Sequence, residues 1–113
     1  MEARATTRFI RLSPRKGRVV VDAIRGKSVD EALRILTFSS KKAATPIRKT
    51  LESAIANAEN NYNVNVDELY VCRAVVDMGR SLRRLKPRAF GRADIIRHPL
   101  SHITIVLSDT RGE

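Results

Sequence analysis

The chain has 113 residues, 42% of them hydrophobic and only 4% aromatic, and its 22 Lys and Arg against 12 Asp and Glu leave a net charge of +10. That length suits one domain with a small core, which must be aliphatic because Phe9, Phe38, Tyr62, Tyr70 and Phe90 are the only aromatics. No apolar run approaches the roughly 18 residues of a membrane span, the first eight residues hold no signal-peptide core, and Cys72 as the sole cysteine excludes an intramolecular disulfide and a multi-cysteine metal site.

Residues 3–12 read as a strand, since Thr, Phe and Ile favour extended backbone and the segment stops at Ser13-Pro14. Ser13 suits an N-cap and Pro14 a first helical position, so a helix is predicted to about Arg25, closed by Gly26, with Val20, Ala23 and Ile24 facing the core. Its first turn carries Arg15, Lys16 and Arg18, where the helix dipole is already positive and carboxylates belong. A docked phosphate would remove that conflict. The second helix begins with the capping box Ser28-Val-Asp-Glu31, runs along Val29, Ala32, Leu33 and Leu36, and ends near Phe38. A third occupies roughly 41–60, with Ala44, Ile47, Leu51, Ala54, Ile55 and Ala58 as its core stripe. Pro46 either opens that helix after Thr45 or kinks one that starts near Lys41.

Two strands follow, at 69–78 and 102–107, the second alternating Ile103, Ile105 and Leu107 with His102, Thr104 and Val106. The interval between them has few turn residues and keeps Leu82, Leu85, Ile95 and Ile96, so the simplest solution continues both strands outward as a hairpin turning near Arg88–Gly91. At about 3.3 Å per residue, about ten residues a side give an arm of roughly 30 Å. The fold class is therefore α+β, three helices packed on a three-stranded antiparallel sheet with a long protruding β-hairpin. It forms a single domain, 1–113, whose globular body is 1–78 and 99–113 and whose extended basic arm is 79–98.

Charge is concentrated in two blocks. Residues 1–27 carry Arg4, Arg8, Arg11, Arg15, Lys16, Arg18, Arg25 and Lys27 against two acids, and residues 80–97 carry Arg80, Arg83, Arg84, Lys86, Arg88, Arg92 and Arg97 against Asp94 alone. Residues 28–70 hold five basic groups and six acids and read as a neutral scaffold. Two like-charged blocks repel one another unless they share a polyanion, which makes both of them candidate nucleic-acid contacts. Few aromatics count against a single-strand reader built on stacked rings. Catalysis has little support: His98 and His102 are four apart with no carboxylate cluster beside them, Cys72 reads as a small packed residue, and no cofactor or metal is implied.

Residues 83–107, Arg-x4-Arg-Ala-Phe-Gly-Arg-x9-His-Ile-Thr-Ile-Val-Leu, closely resemble the signature of the bacterial large-subunit ribosomal protein twenty-two family. Ser13-Pro-Arg-Lys16, Val21-Asp-Ala-Ile-Arg-Gly-Lys27 and Leu51-Glu-Ser-Ala-Ile-Ala-Asn-Ala-Glu-Asn60 resemble its other blocks, in order and over nearly the whole chain. The resemblance implies a structural, non-enzymatic component of the large ribosomal subunit in the cytoplasm, which binds large-subunit rRNA and supports subunit assembly. It implies that the hairpin tip, here Arg88, Ala89, Phe90, Gly91 and Arg92, lines the nascent-peptide exit tunnel near ribosomal protein four and the nascent peptide. Phe90 stands where the family often has a basic residue, and Arg80 replaces a frequent Pro. Charge alone also fits an architectural DNA-binding protein with basic β-arms.

Overall fold

A computed structural model of the protein describes residues 2–79, 82–87 and 93–109, of which 82–87 and 93–98 are described by their backbone. The order is β1 (Glu2–Ile10), α1 (Pro14–Ile24), α2 (Val29–Phe38), α3 (Ala44–Tyr62), a single 3₁₀ turn (Val66–Glu68), β2 (Tyr70–Met78), β3 (Leu82–Pro87), β4 (Ala93–His98) and β5 (Ser101–Ser108). β1, β5 and β2 form an antiparallel sheet with β5 in the centre, and β3 pairs with β4 as a separate antiparallel ribbon. The α+β class with three helices on a three-stranded sheet is as expected. The turn expected near Arg88–Gly91 lies outside the described residues.

The alternation in β5 sets one face of the sheet. Ile103, Ile105 and Leu107 are buried, beside Ala3 and Ala5 of β1 and Val71, Ala74 and Val76 of β2. Cys72 is an extra residue in the β2 ladder, since Val71 pairs with Leu107 and Arg73 with Val106, and this bulge carries the core-facing set from Val71 to Ala74. The helices cover this face: Val20, Val21 and Ile24 come from α1, Val29, Ala32 and Leu36 from α2, and Ile47, Leu51, Ala54 and Ala58 from α3. Ala23 is exposed, against the expectation; Val21 takes its place, because Gly17, Val20, Val21 and Ile24 together complete a stripe at helical spacing. Gly17 lets α1 approach closely, since a Cβ there would meet Leu12 and Val76 at 3.1 Å.

Local chemistry ends each helix. Gly26, at φ +81, turns the chain out of α1, and its N–H donates to the Val71 carbonyl at 2.8 Å while Val71 N–H donates to the Lys27 carbonyl at 2.9 Å. The Ser28 side chain accepts from the Glu31 N–H at 3.3 Å, as its capping box requires. α3 starts at Ala44, so Pro46 is the third helical residue, where a missing N–H leaves no intrahelical bond unmade. The helix accommodates it in the first turn rather than beginning at it. Thr50, fully buried, donates to the Pro46 carbonyl at 2.9 Å and lies 2.7 Å from the Thr7 hydroxyl, which ties α3 to β1. Asn63 closes α3 in the left-handed region at φ 52. Among the described residues no helix is long and apolar enough to cross a membrane.

The two serine caps differ in a way that stability measurements resolve. Ser28→Ala removes a cap bond and is expected to lower stability by about 0.5–2 kcal/mol. Ser13, at the cap position of α1, makes no side-chain cap bond, so Ser13→Ala is expected to leave the urea midpoint nearly unchanged. Equal losses from both substitutions would contradict this assignment.

Candidate nucleic-acid interface

The amino end of α1 is built without any internal answer to its own charge. Its first turn contains no acid and its cap serine no side-chain bond, so its leading N–H groups and positive dipole end meet Arg15 and Lys16, both exposed. α2 is the opposite case, with Asp30 and Glu31 in its first turn and a filled cap. The ion pairs lie away from the amino end of α1. Arg34 pairs with Asp30 at 2.7 Å on α2, and Arg48 lies 3.7 Å from Glu52 on α3. Among the described residues, Arg4, Arg8, Arg15, Lys16 and Lys27 are exposed and form no ion pair. Arg11 is exposed as well.

Two of the predicted cations are partly committed to the fold. Arg18 donates through Nε to the Val76 carbonyl at 3.1 Å. Arg25 donates to the Asp22 carboxylate and to the Ala74 carbonyl, each at 2.7 Å. Both bonds fasten α1 to β2, and each guanidinium keeps further donors. Of the predicted arm residues, Arg83, Arg84 and Lys86 lie in β3 and Arg97 in β4, with Arg83 opposite Arg97 and Lys86 opposite Asp94 in the ladder. Arg80 and the predicted tip, Arg88, Ala89, Phe90, Gly91 and Arg92, lie outside the described residues.

The structure adds cations that the sequence pattern did not single out. Lys41 and Lys42, just before α3, converge with Lys16 on a groove of about 320 Å³ floored by Leu12, Val19 and Ala43. A neighbouring hollow of about 260 Å³ shares Leu12, Lys16 and Lys42 and reaches Arg11 and Pro99. Lys41 and Lys42 were hidden by averaging, since they sit in a segment whose total charge is nearly zero. On the sheet face away from the helices, Arg4 and Arg73 flank Val106 in register, both exposed. Arg73 and Asp77 cancel in sequence but form no ion pair.

The remaining chemistry is structural. His102 accepts the Phe9 N–H through Nδ1 at 3.1 Å, which places the neutral ring's proton on Nε2. Cys72 is half-buried and its thiol donates to the Val106 carbonyl at 3.3 Å. Burial raises the Cys72 pKa, and the nearby Glu2 carboxylate raises it further. Among the described residues no group of three His, Cys, Asp or Glu is placed to hold a metal.

Comparison with known proteins identifies the family. The profile of the family described as Ribosomal protein L22p/L17e matches residues 5–108. The chain belongs to this family. It is 60% identical over 109 residues to the large ribosomal subunit protein uL22 of Fusobacterium nucleatum, covering 96% of this chain and 98% of that protein. The uL22 of Thermoanaerobacter pseudethanolicus is 58% identical with the same coverage, and that of Desulforamulus reducens 55% identical over 98% of both chains. The L22p/L17e family is one of ribosomal structural proteins, not enzymes, which agrees with the structural placement of His102 and Cys72.

The raised Cys72 pKa has a direct consequence. The thiolate is the reactive form, so alkylation of the folded protein is expected to be slower than that of the urea-unfolded chain at pH 8. Its rate should also rise at higher pH in the folded state. A native rate equal to the unfolded one, followed by mass spectrometry, would contradict the burial of this thiol.

Proposed function

We propose that this chain is a structural constituent of the large ribosomal subunit in the bacterial cytoplasm and binds large-subunit rRNA through two basic surfaces. The first is the N-terminal face: Arg4, Arg8, Arg11, Arg15, Lys16 and Lys27, joined by the Lys41–Lys42 corner, with Arg18 and Arg25 holding α1 in place and offering their remaining donors. The second is the arm, 79–98, carrying Arg80, Arg83, Arg84, Lys86, Arg88, Arg92 and Arg97. The tip, 88–92, lines the nascent-peptide exit tunnel beside ribosomal protein four, and the protein supports assembly of the subunit by fixing folded RNA around it.

The observation that carries this reading is the amino end of α1, which lacks both an acid and a filled cap yet carries the exposed Arg15 and Lys16, neither of which forms an ion pair. A protein folded for itself gains by placing acids there; a protein folded for a polyanion leaves the place open. The arm supports the same reading. Its two strands are in register with Arg83 opposite Arg97, and basic residues outnumber acids along it. The chain is also elongated, 62 Å along its longest axis against 26 and 22 Å across. Kinship with uL22 proteins favours rRNA over duplex DNA as the polyanion. Phosphate contacts dominate such binding, and the A-form major groove is closed to side chains, so the RNA is recognised by its folded shape and 2′-hydroxyls.

Binding to large-subunit rRNA is therefore expected to weaken steeply with salt, by about 10³–10⁵ between 50 and 200 mM for six to ten phosphate contacts. Lys16→Ala and Lys42→Ala are each expected to reduce the slope of log affinity against log salt by about one. Arg25→Ala should chiefly lower stability by loosening α1 from β2. Filter binding across the salt series, with duplex DNA as competitor, tests this. A flat salt dependence, or DNA competing as well as rRNA, would contradict it.

A further inference from the structure

Phe9 occupies a backbone conformation that its residue type disfavours. The β1–β5 ladder runs to Thr7 opposite Ile103 and resumes at Ile10 opposite Ser101, so Arg8 and Phe9 together face His102. In such a bulge the left-handed position normally belongs to glycine. Here Phe9 holds it, at φ 57. Two contacts keep it there: the Phe9 N–H donates to His102 Nδ1 at 3.1 Å, and the two rings meet edge to face, 4.9 Å between centroids at 86°. Yet the residue remains 61% exposed. Hydrophobic burial does not account for an aromatic at this point, and neither does backbone preference, since Gly or Asn would relieve the strain. Strained residues that the surrounding structure over-determines are concentrated at binding sites. Arg8, next to it in the chain, and Arg11, two residues on, are exposed cations. An exposed ring held at a fixed angle, with two exposed arginines close by in the chain, is suited to stack an unpaired base while neighbouring phosphates meet the cations.

We propose that Phe9 is a stacking platform for one unpaired base of large-subunit rRNA. The inference rests on the RNA-binding reading above and adds to it a contact made with a base, where every other proposed contact is with phosphate or sugar. It requires a single splayed nucleotide, so the scarcity of aromatics elsewhere in the chain does not oppose it. A hydrophobic protein neighbour is the competing occupant; the charge beside the ring favours RNA.

The chain contains no Trp, so Phe9→Trp installs a single indole at the site. With deproteinised large-subunit rRNA, its fluorescence is expected to be quenched in step with binding measured independently by filter retention. Phe9→Asn, which accepts the left-handed backbone, is expected to melt at or above the temperature of the unsubstituted protein. It should nevertheless bind the rRNA about 5- to 100-fold more weakly, with an unchanged salt slope because no charge is lost. Phe9→Asn binding as tightly as the parent, or an indole left unquenched in a complex that forms, would overturn the proposal. A parent protein that fails to bind the rRNA would overturn the RNA-binding reading itself, and this inference with it.

Discussion

Burial of aliphatic side chains along the central strand β5 is the constraint from which the rest of the molecule follows. Ile103, Ile105 and Leu107 need a cover on one face of the sheet, and α1 and α3 supply it with Val20, Val21, Ile24, Ile47 and Leu51. With no Trp and few other aromatics, the core gains its density from small residues that permit close approach: Ala3 and Ala5 on β1, Ala74 on β2, Ala54 and Ala58 on α3, and Gly17 on α1. A core of this kind has no room for ionised groups. The cations are consequently displaced to the surface, and Lys16, Lys41 and Lys42 stand together at the amino ends of α1 and α3.

That displacement divides the chain into parts that are electrostatically complete and parts that are not. α2 carries its own cap, first-turn acids and an Arg34–Asp30 pair. α1 has none of these at its amino end, and the ionic link it does make, Arg25 to Asp22, lies near its carboxyl end. The incompleteness is directional. Lys16, Lys41 and Lys42 line a common groove although they come from two segments, and Arg4 and Arg73 stand in register on either side of Val106 from the two edge strands. Folding thus gathers positive charge from distant segments instead of diluting it, and in the proposed function the bound polyanion offsets the electrostatic cost of this gathering.

Much of this is visible in the sequence because it is local. The capping box at Ser28, the Gly26 stop, the stripe of α3 and the alternation of β5 are short-range patterns, and these elements lie within about three residues of their expected places, the start of α3 being the furthest off. Other features depend on neighbours far away in the chain. Arg18 and Arg25 bond to carbonyls 58 and 49 residues distant, so their anchoring role is invisible until β2 is placed beside α1. The strain at Phe9 arises from its register with His102, 93 residues on. Lys41 and Lys42 disappear in a charge average but reappear when α3 is docked against α1. The preference for Val21 over Ala23 is a matter of helix phase, which Gly17 settles by fixing the side of α1 that touches β2. The proposed placement of the tip in the exit tunnel rests on family resemblance, because composition and periodicity describe a basic segment without saying where it lies.

The most direct test of the central claim is the structure of the assembled large subunit from this organism, determined at a resolution that shows side chains against phosphates. The account predicts Arg15, Lys16, Lys41 and Lys42 within hydrogen-bonding distance of rRNA phosphates and residues 80–97 enclosed by RNA, with the three-helix core as described here. Finding those N-terminal cations facing solvent, or residues 80–97 laid back across α1–α3, would contradict it.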